Sequence, residues 1–243
     1  MFFSLNASYT LSALTVVNFQ THYKYMFKTS YIVPCPGLKP DCLKKTVQET
    51  LPQFVKGIPS LGIDSLDPLH EERVDLDLPG GLKIQFTEGV VTGLRKCTVE
   101  TVRYDGLDAT LVFNCNILLK GKYKATGRVL IFQINGDGDA KIKTRMYIAK
   151  VKFEDITRDG VVYREIKNYK VSYKYNDRVV FTFTNLFMGN PELGQTVLAF
   201  LNENWEKVIE EFGKPVTDRI IAVIMNKIQK FFQEVPRDEL YIP

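Results

Sequence analysis

Residues Ile220 to Met225 are six apolar side chains in unbroken succession. In a helix turning ~100° per residue they point to every side, so no single flat surface covers them. The run is too short to cross a bilayer, which takes about 20 apolar residues. A helix that is apolar all round has to be enclosed by other protein. The enclosure must come from the rest of the chain.

The run belongs to a longer segment that starts after the breaker Gly189, Asn190, Pro191 and ends near Gln233. Apolar residues recur there at steps of three and four, through Val197, Leu201, Trp205, Val208, Phe212, Val216, Ile220, Ile224, Ile228 and Phe231. Their mean spacing slightly exceeds the helical turn, so the stripe drifts around the axis. The pattern predicts one long helix, kinked near its middle at Gly213 and Pro215. About forty residues at ~1.5 Å each make a rod near 60 Å, more than a compact domain spans, so an elongated molecule is expected.

Upstream the period changes. Residues 42–56 read as a first amphipathic helix carrying Leu43, Val47, Leu51 and Phe54, with Pro52 bending or shortening it. From Val74 onward the alternation is two: Val74, Leu76, Leu78; then Leu82, Ile84, Phe86; then Leu111, Phe113, Cys115, Ile117, Leu119. It continues through Tyr147, Ala149, Val151, Phe153, then Tyr169, Val171, Tyr173, Tyr175, then Val179, Phe181, Phe183. Turn signals separate these runs: PGG at 79, YDG at 104, NGDGD at 135, RDG at 158 and YND at 175. This predicts a long antiparallel meander, greasy on one face and wet on the other. A flat sheet covers one side of a helix, whereas a drifting stripe wants cover that moves around it. The sheet is therefore expected to curve around the helix. The Phe, Met, Ile and Tyr side chains between them are the kind that line an apolar cavity.

Cys35 and Cys42 bracket CPGLKPDC, a loop short enough for a disulfide to close. No second pair of ligands stands at zinc spacing, so a structural disulfide and an oxidising compartment are expected. A hairpin centred on Asp105, Gly106 and Leu107 would set Cys97 opposite Cys115, each nine residues from Gly106. Two readings stay open for that pair: a second, cross-strand disulfide, or two buried thiols acting as small hydrophobes. Residues 1–24 read as a weak leader or an incorrectly placed start, since no Lys or Arg precedes the patch LSALTVVNF and no clean cleavage site follows. Asn6, Ala7 and Ser8 form a glycosylation sequon that would be lost or unused with it. Residues 25–243 are expected to form a single ligand-binding domain.

Lys and Arg exceed Asp and Glu by 32 to 28, and no run reaches five or six like charges, so nucleic acid is not an expected partner. Lys120, Lys122 and Lys124, and Lys141, Lys143 and Arg145, read as solvated strand faces. Asn135, Asp137 and Asp139 resemble a calcium loop, but Ala140 and Met146 stand where glycine and glutamate are wanted, and a hairpin turn is preferred. The two histidines, His22 and His70, and the lack of GxSxG, phosphate-loop or HExxH motifs argue against an enzyme. No cofactor or metal is called for.

With these elements placed, several blocks resemble the takeout and haemolymph juvenile-hormone-binding protein family of insects. Cys35 and Cys42 resemble its amino-terminal disulfide loop. KGIPSLGIDSLDPL at 56–69, GKYKATGRVL followed by INGDGD, NLFMGNPELGQTVLAFLNENW at 185–205 and FFQEVPRDELY at 231–241 resemble four later blocks in order. The similarity covers roughly residues 33–242. Cys97 and Cys115 depart from the pattern, and Asp64 stands where the family's proline is expected. The resemblance implies an α+β fold like a bactericidal/permeability-increasing protein module, a long carboxy-terminal helix wrapped by a highly curved antiparallel sheet around a hydrophobic tunnel. It also implies a secreted carrier, in haemolymph or sensory fluid, of a terpenoid, fatty acyl compound or related lipid.

The residues expected to face the ligand are Phe113, Leu130, Phe132, Tyr147, Phe153, Phe181, Phe183, Phe200, Trp205, Val208, Phe212 and Ile220. Tyr123, Tyr147, Tyr169 and Tyr173 are candidates to orient a ligand ester, acid or epoxide. Trp205, the single tryptophan, is expected either to pack in the core or to report on ligand entry. The partner is a small hydrophobic molecule, membrane contact is not predicted, and a monomer is expected. The alternatives are a signalling protein of the same fold with a filled core, and a lipid-transfer protein that docks on membranes.

Overall fold

The structure, a computed structural model, describes residues 31–146, 150–172, 175 and 177–242. The leader stretch with Asn6 and His22 lies outside these residues, as do Tyr147 and Tyr173.

The chain opens with β1 (Cys35–Pro36) and α1 (Pro40–Phe54), then crosses to β2 (Leu69–Leu78) and β3 (Leu82–Thr92). There follow β4 (Thr98–Asp105), β5 (Asp108–Val129), β6 (Phe132–Met146), β7 (Lys150–Arg158), β8 (Val161–Lys170) and β9 (Val180–Phe183). Helices α2 (Pro191–Glu203) and α3 (Trp205–Glu234) and the short β10 (Tyr241–Ile242), parallel to β1, complete it. Pro40 and Pro191 open their helices at a position whose N–H has no helical acceptor. Asn190 caps α2, its side chain accepting from the Leu193 amide at 3.0 Å.

Strand β5 organises the sheet. It is 22 residues long, and its odd-numbered residues Ala109, Cys115, Ile117, Tyr123 and Ala125 are all buried. The carboxy-terminal part of β5 lies between β3 and β6, and β9 extends that leaf beyond β6. Its amino-terminal part is flanked by β4 and β7, with β8 beyond β7. Four consecutive pairs of the expected meander are present, β2–β3, β4–β5, β5–β6 and β7–β8, but β9 pairs with β6 and not with β8 across the expected turn at 175, and β3 passes over β4 to pair with β5, so one strand is shared by two leaves. Bulges at Thr87/Val90, Val99/Thr101 and Lys152/Phe153 interrupt the ladders. Such bulges bend a strand and increase its twist, which lets the leaves curve.

The turns at Gly106 and at Asp159 and Gly160 join strands as the sequence predicts, the latter two at φ 51° and 77°. NGDGD differs. Residues 135–139 lie inside β6, and the turn is at Leu130 and Ile131, with Leu130 at φ 53°. The glycines serve a close approach: residues 184–188 run against this part of β6. Thr184 N donates to Asp139 O at 3.0 Å, and Met188 N donates to Asn135 O at 3.2 Å. A Cβ on Gly138 would stand 2.4 Å from the Thr184 carbonyl oxygen.

The helical segment also differs from expectation. It is two helices, not one, with a break at Asn204 (φ −104°, ψ 28°), and α3 continues for 30 residues with Pro215 inside it. At Asn204 both the backbone N–H and the side-chain amide donate to Phe200 O, each at 2.9 Å, which ends α2. Around Pro215 the turn is stapled instead, because Thr217 Oγ1 donates to Gly213 O at 2.9 Å and Phe212, Gly213 and Thr217 are buried.

The all-round apolar run now has its cover. Ile220, Val223 and Ile224 pack with Leu69, Val91, Cys115 and Ile117 of one leaf. Ile221, Met225 and Ile228 pack with Ala109, Val151, Phe153 and Ile166 of the other. The fold is α+β, a curved antiparallel sheet around a long carboxy-terminal helix. Arg164, almost fully buried, and Arg237 both reach the Asp155 carboxylate, at 2.8 and 3.1 Å, tying β7 and β8 to the chain after α3. The hydrogen bond from Arg164 holds the Asp155 carboxyl below the usual range against the opposing effect of burial.

Candidate functional site: an apolar tunnel between sheet and helix

Sheet and helix do not close on each other along their whole length. Between them lies a cavity of about 160 Å³, counted as room for the centre of a water-sized sphere. Its floor is the inner face of β5 and its neighbours, Cys115, Ile117, Leu119, Tyr123, Ala125 and Val129 with Ile84, Phe86, Ile134 and Ile142. Its roof is one side of the helical segment, from Leu201 through Val208, Phe212, Val216 and Ile220 to Ile224. From Val208 to Ile224 the helix rises ~24 Å. Spread over that length, the volume gives a bore of about 6 Å once the sphere's own ~1.4 Å radius is added on every side. The site is a narrow tunnel, one chain wide. A second, smaller cavity adjoins it, sharing Phe86, Val91, Leu119, Val216 and Ile220 and reaching Glu71 and Arg219, whose ion pair spans 3.2 Å.

Four arrangements shape the wall. The side-chain amide of Asn202 on α2 stands in for a neighbouring strand, accepting from Phe181 N and donating to Phe181 O, both at 2.9 Å, which fixes Phe181 in the wall. The largely buried Asp67 carboxylate accepts from the amides of Arg95 (2.6 Å) and Gly93 (3.3 Å), holding the short turn that presents Leu94. Tyr123 OH donates to Thr184 O at 2.9 Å, binding the floor to the strap at 184–188. Burial pushes its phenol up to about 12, so it stays a neutral donor through the physiological range. Finally, Cys97 and Cys115 are joined by a disulfide at the base of the β4–β5 hairpin, and Cys115 faces the tunnel. All four cysteines are paired, Cys35 with Cys42.

The Cys97–Cys115 bridge closes a loop of 18 residues, for which loop closure alone is worth about 3 kcal/mol. The double variant Cys97→Ala/Cys115→Ala is expected to melt roughly 6–12 °C lower. A thermal melt followed by circular dichroism measures this, and equal melting temperatures would show that the bridge contributes nothing.

Of the residues expected to face a ligand, Phe181, Phe183, Val208, Phe212 and Ile220 line the tunnel. Leu130, Phe132, Phe200 and Trp205 are half-buried and pack against the cluster around it, Phe132 and Phe200 edge to face at 5.1 Å, without lining it. Phe113 packs between two clusters near the first disulfide. Phe153 is buried between Tyr104 and Phe232, at 5.6 and 5.0 Å, on the other side of α3. Tyr147 lies outside the described residues. Among the candidate tyrosines, Tyr123 lines the tunnel with its hydroxyl engaged, Tyr169 sits in the cluster around Phe153, and Tyr173 lies outside the described residues. The expectation favoured aromatics, but most of the wall is aliphatic. The odd-numbered run of β5 and the i, i+4 series Val208, Phe212, Val216, Ile220, Ile224 carried that signal.

Comparison with known proteins agrees with this geometry. The sequence pattern of the family described as haemolymph juvenile hormone binding protein (JHBP) matches residues 12–242. The circadian clock-controlled protein daywake of Drosophila melanogaster is 25% identical over 218 residues, 82% of this chain and 83% of that one. Its counterpart in Drosophila yakuba is 23% identical over 223 residues, 85% of each chain. The crystal structure of Epiphyas postvittana Takeout 1 superposes with a TM-score of 0.82 at 35% identity, covering 86% of this chain and 99% of that one. A helix sheathed by two leaves of one curved sheet, with an apolar channel along it and sequence agreement over nearly the whole length, places this chain in the haemolymph juvenile hormone binding protein family.

Proposed function

We propose that the protein is a secreted, non-enzymatic carrier that holds one elongated hydrophobic molecule, a terpenoid, a fatty acyl compound or a related lipid, in the tunnel under α3. The unfilled apolar bore supports this reading most directly. A packed core leaves few voids larger than a water molecule, whereas this one leaves a channel about as wide as a single hydrocarbon chain. Each methylene that moves from water into it contributes ~0.8 kcal/mol, so affinity grows with chain length until the bore is full. Fused rings are too wide. The two disulfides support an oxidising, extracellular setting, and the description of the family names the haemolymph. The tunnel favours the carrier over a signalling protein with a filled core.

Protein purified from its own source is expected to release a single-chain lipid on solvent extraction, detected by mass spectrometry at near-equimolar amount. Stripped protein is expected to bind a fluorescent fatty acyl probe saturably. Trp205 stands outside the wall, so its emission is expected to respond weakly. A stripped protein that takes up no apolar probe defeats the carrier reading.

A further inference from the structure

We propose that Thr144 is the polar anchor of the tunnel and selects a neutral, oxygen-bearing chain, such as an ester, ketone or alcohol, over both the bare hydrocarbon and the ionised acid. The proposal rests on the carrier reading and adds the chemistry of the ligand's polar group. Among the described residues of the wall, four carry a hydroxyl: Tyr123, Thr144, Tyr175 and Thr217. Three are engaged. Tyr123 donates to Thr184 O. Thr217 donates to Gly213 O and is thereby left to accept from Tyr175 OH at 3.1 Å.

Thr144 Oγ1 is shut away from solvent and has no hydrogen-bond partner. It sits in β6 directly opposite Ile117, two residues from Ile142, both in the same wall. A buried hydroxyl without a partner is costly, and native structures retain few of them. A threonine can exchange the positions of its hydroxyl and methyl by one rotation about χ1, so the oxygen can occupy the wall side of the residue. There it lacks only an oxygen on the guest. The described wall holds no Lys, Arg or His, so an ionised carboxylate at this point would be buried without a counter-charge, which is far more expensive than a neutral oxygen. Thr144 and Ile117 stand toward the Cys115 and Ile224 end of the channel, which puts the guest's oxygen near that end and its tail toward Leu201.

The test uses the full chain, stripped of lipid, with a straight-chain alkane, ketones of the same length with the carbonyl moved stepwise along the chain, and the matching fatty acid. Displacement of a fluorescent acyl probe gives each affinity. Wild type is expected to prefer one carbonyl position over the alkane by about tenfold, the factor one hydrogen bond is worth, and to bind the acid no better than the alkane. Thr144→Val is expected to bring that ratio to about one, and Thr144→Ser to keep it. The valine variant, freed of an unpaired hydroxyl, is also expected to melt higher than wild type when empty.

Thr50→Val is the control. It removes another buried hydroxyl without a partner, on α1 outside the wall, and is expected to raise the melting temperature without altering the ratio. A flat response to carbonyl position in wild type overturns the assignment, whether or not the valine variant folds, and so does an unchanged ratio in Thr144→Val. If wild type binds neither alkane nor ketone, the carrier reading itself has failed.

Discussion

Ile220→Trp is expected to weaken binding of a long-chain probe by about a hundredfold while leaving the protein as stable as before. Ile220 faces the tunnel where it meets the smaller adjoining cavity, so an indole there occupies space that three or four methylenes of a guest would fill. At ~0.8 kcal/mol each, that is roughly 2.5–3 kcal/mol, or two powers of ten in affinity. Overpacking a filled core costs about 1–3 kcal/mol, and the tunnel spares the variant that cost. Ile221→Trp, one residue along, has the opposite profile. Its side chain is buried at 5% exposure among Ala109, Val151, Phe153 and Met225 and lines neither of the two cavities described, so it should destabilise by about 1–3 kcal/mol and leave the bore open. Probe titration and thermal melts on both variants separate a hollow core from a packed one. Equal destabilisation by both substitutions would mean that the helix is tightly gripped on every side.

The same pair of residues shows how much of the fold was legible beforehand. An apolar run on every side of a helix demands cover on every side, and the period-two alternation upstream supplies sheet. Those two local signals suffice for the architecture. Which strand pairs with which is not local. Nothing in the order of the hairpins says that β3 will pass over β4, because the choice follows from the bulges and twist that divide β5 between two leaves. The break at Asn204 was hidden for a similar reason. Proline is the obvious place to expect a helix to end, but α3 runs on through Pro215, where the Thr217 hydroxyl donates to Gly213 O, whereas an asparagine whose amide turns back on Phe200 ends the helix before it.

The site was legible in part. Alternation identifies which residues face inward, but not whether an inward residue meets a void or a neighbour. Phe113 and Phe153 face inward and are met by other side chains, whereas the aliphatic floor of Ile117, Leu119 and Ile142 meets the channel. Large aromatics fill space well, so they accumulate where the core is solid. A narrow bore is left where branched aliphatic side chains of both walls stop short of each other. The residues that shape the wall from behind, Asp67 and Asn202, act through backbone groups more than twenty positions away, and no sequence pattern announces such contacts.

Gly138→Ala is expected to destabilise the protein by about 3–5 kcal/mol, a fall of about 10 °C in melting temperature. The reading of NGDGD as a turn missed why glycine stands there. An added Cβ would lie 2.4 Å from Thr184 O, 2.5 Å from Thr184 Oγ1 and 3.0 Å from the Thr184 carbonyl carbon. Two of these are backbone atoms, so a rotamer change cannot relieve the contact and the strap has to move. Moving it strains three hydrogen bonds at once, Thr184 N to Asp139 O, Asp139 N to Thr184 Oγ1, and Tyr123 OH to Thr184 O, each worth about 1 kcal/mol, with a further penalty for a buried phenol left unpaired. Leu186, which lines the end of the tunnel, moves with the strap, so probe binding should weaken in the same variant. Gly194→Ala supplies the counterpart. It lies in α2 with its nearest neighbours at 4.0 Å, where alanine is the better helix former, and should stabilise by about 0.5–1 kcal/mol. Two identical substitutions thus have opposite signs, and melts of both decide the matter: a Gly138→Ala protein as stable as wild type would show that the strap does not bear on β6 as closely as the geometry requires.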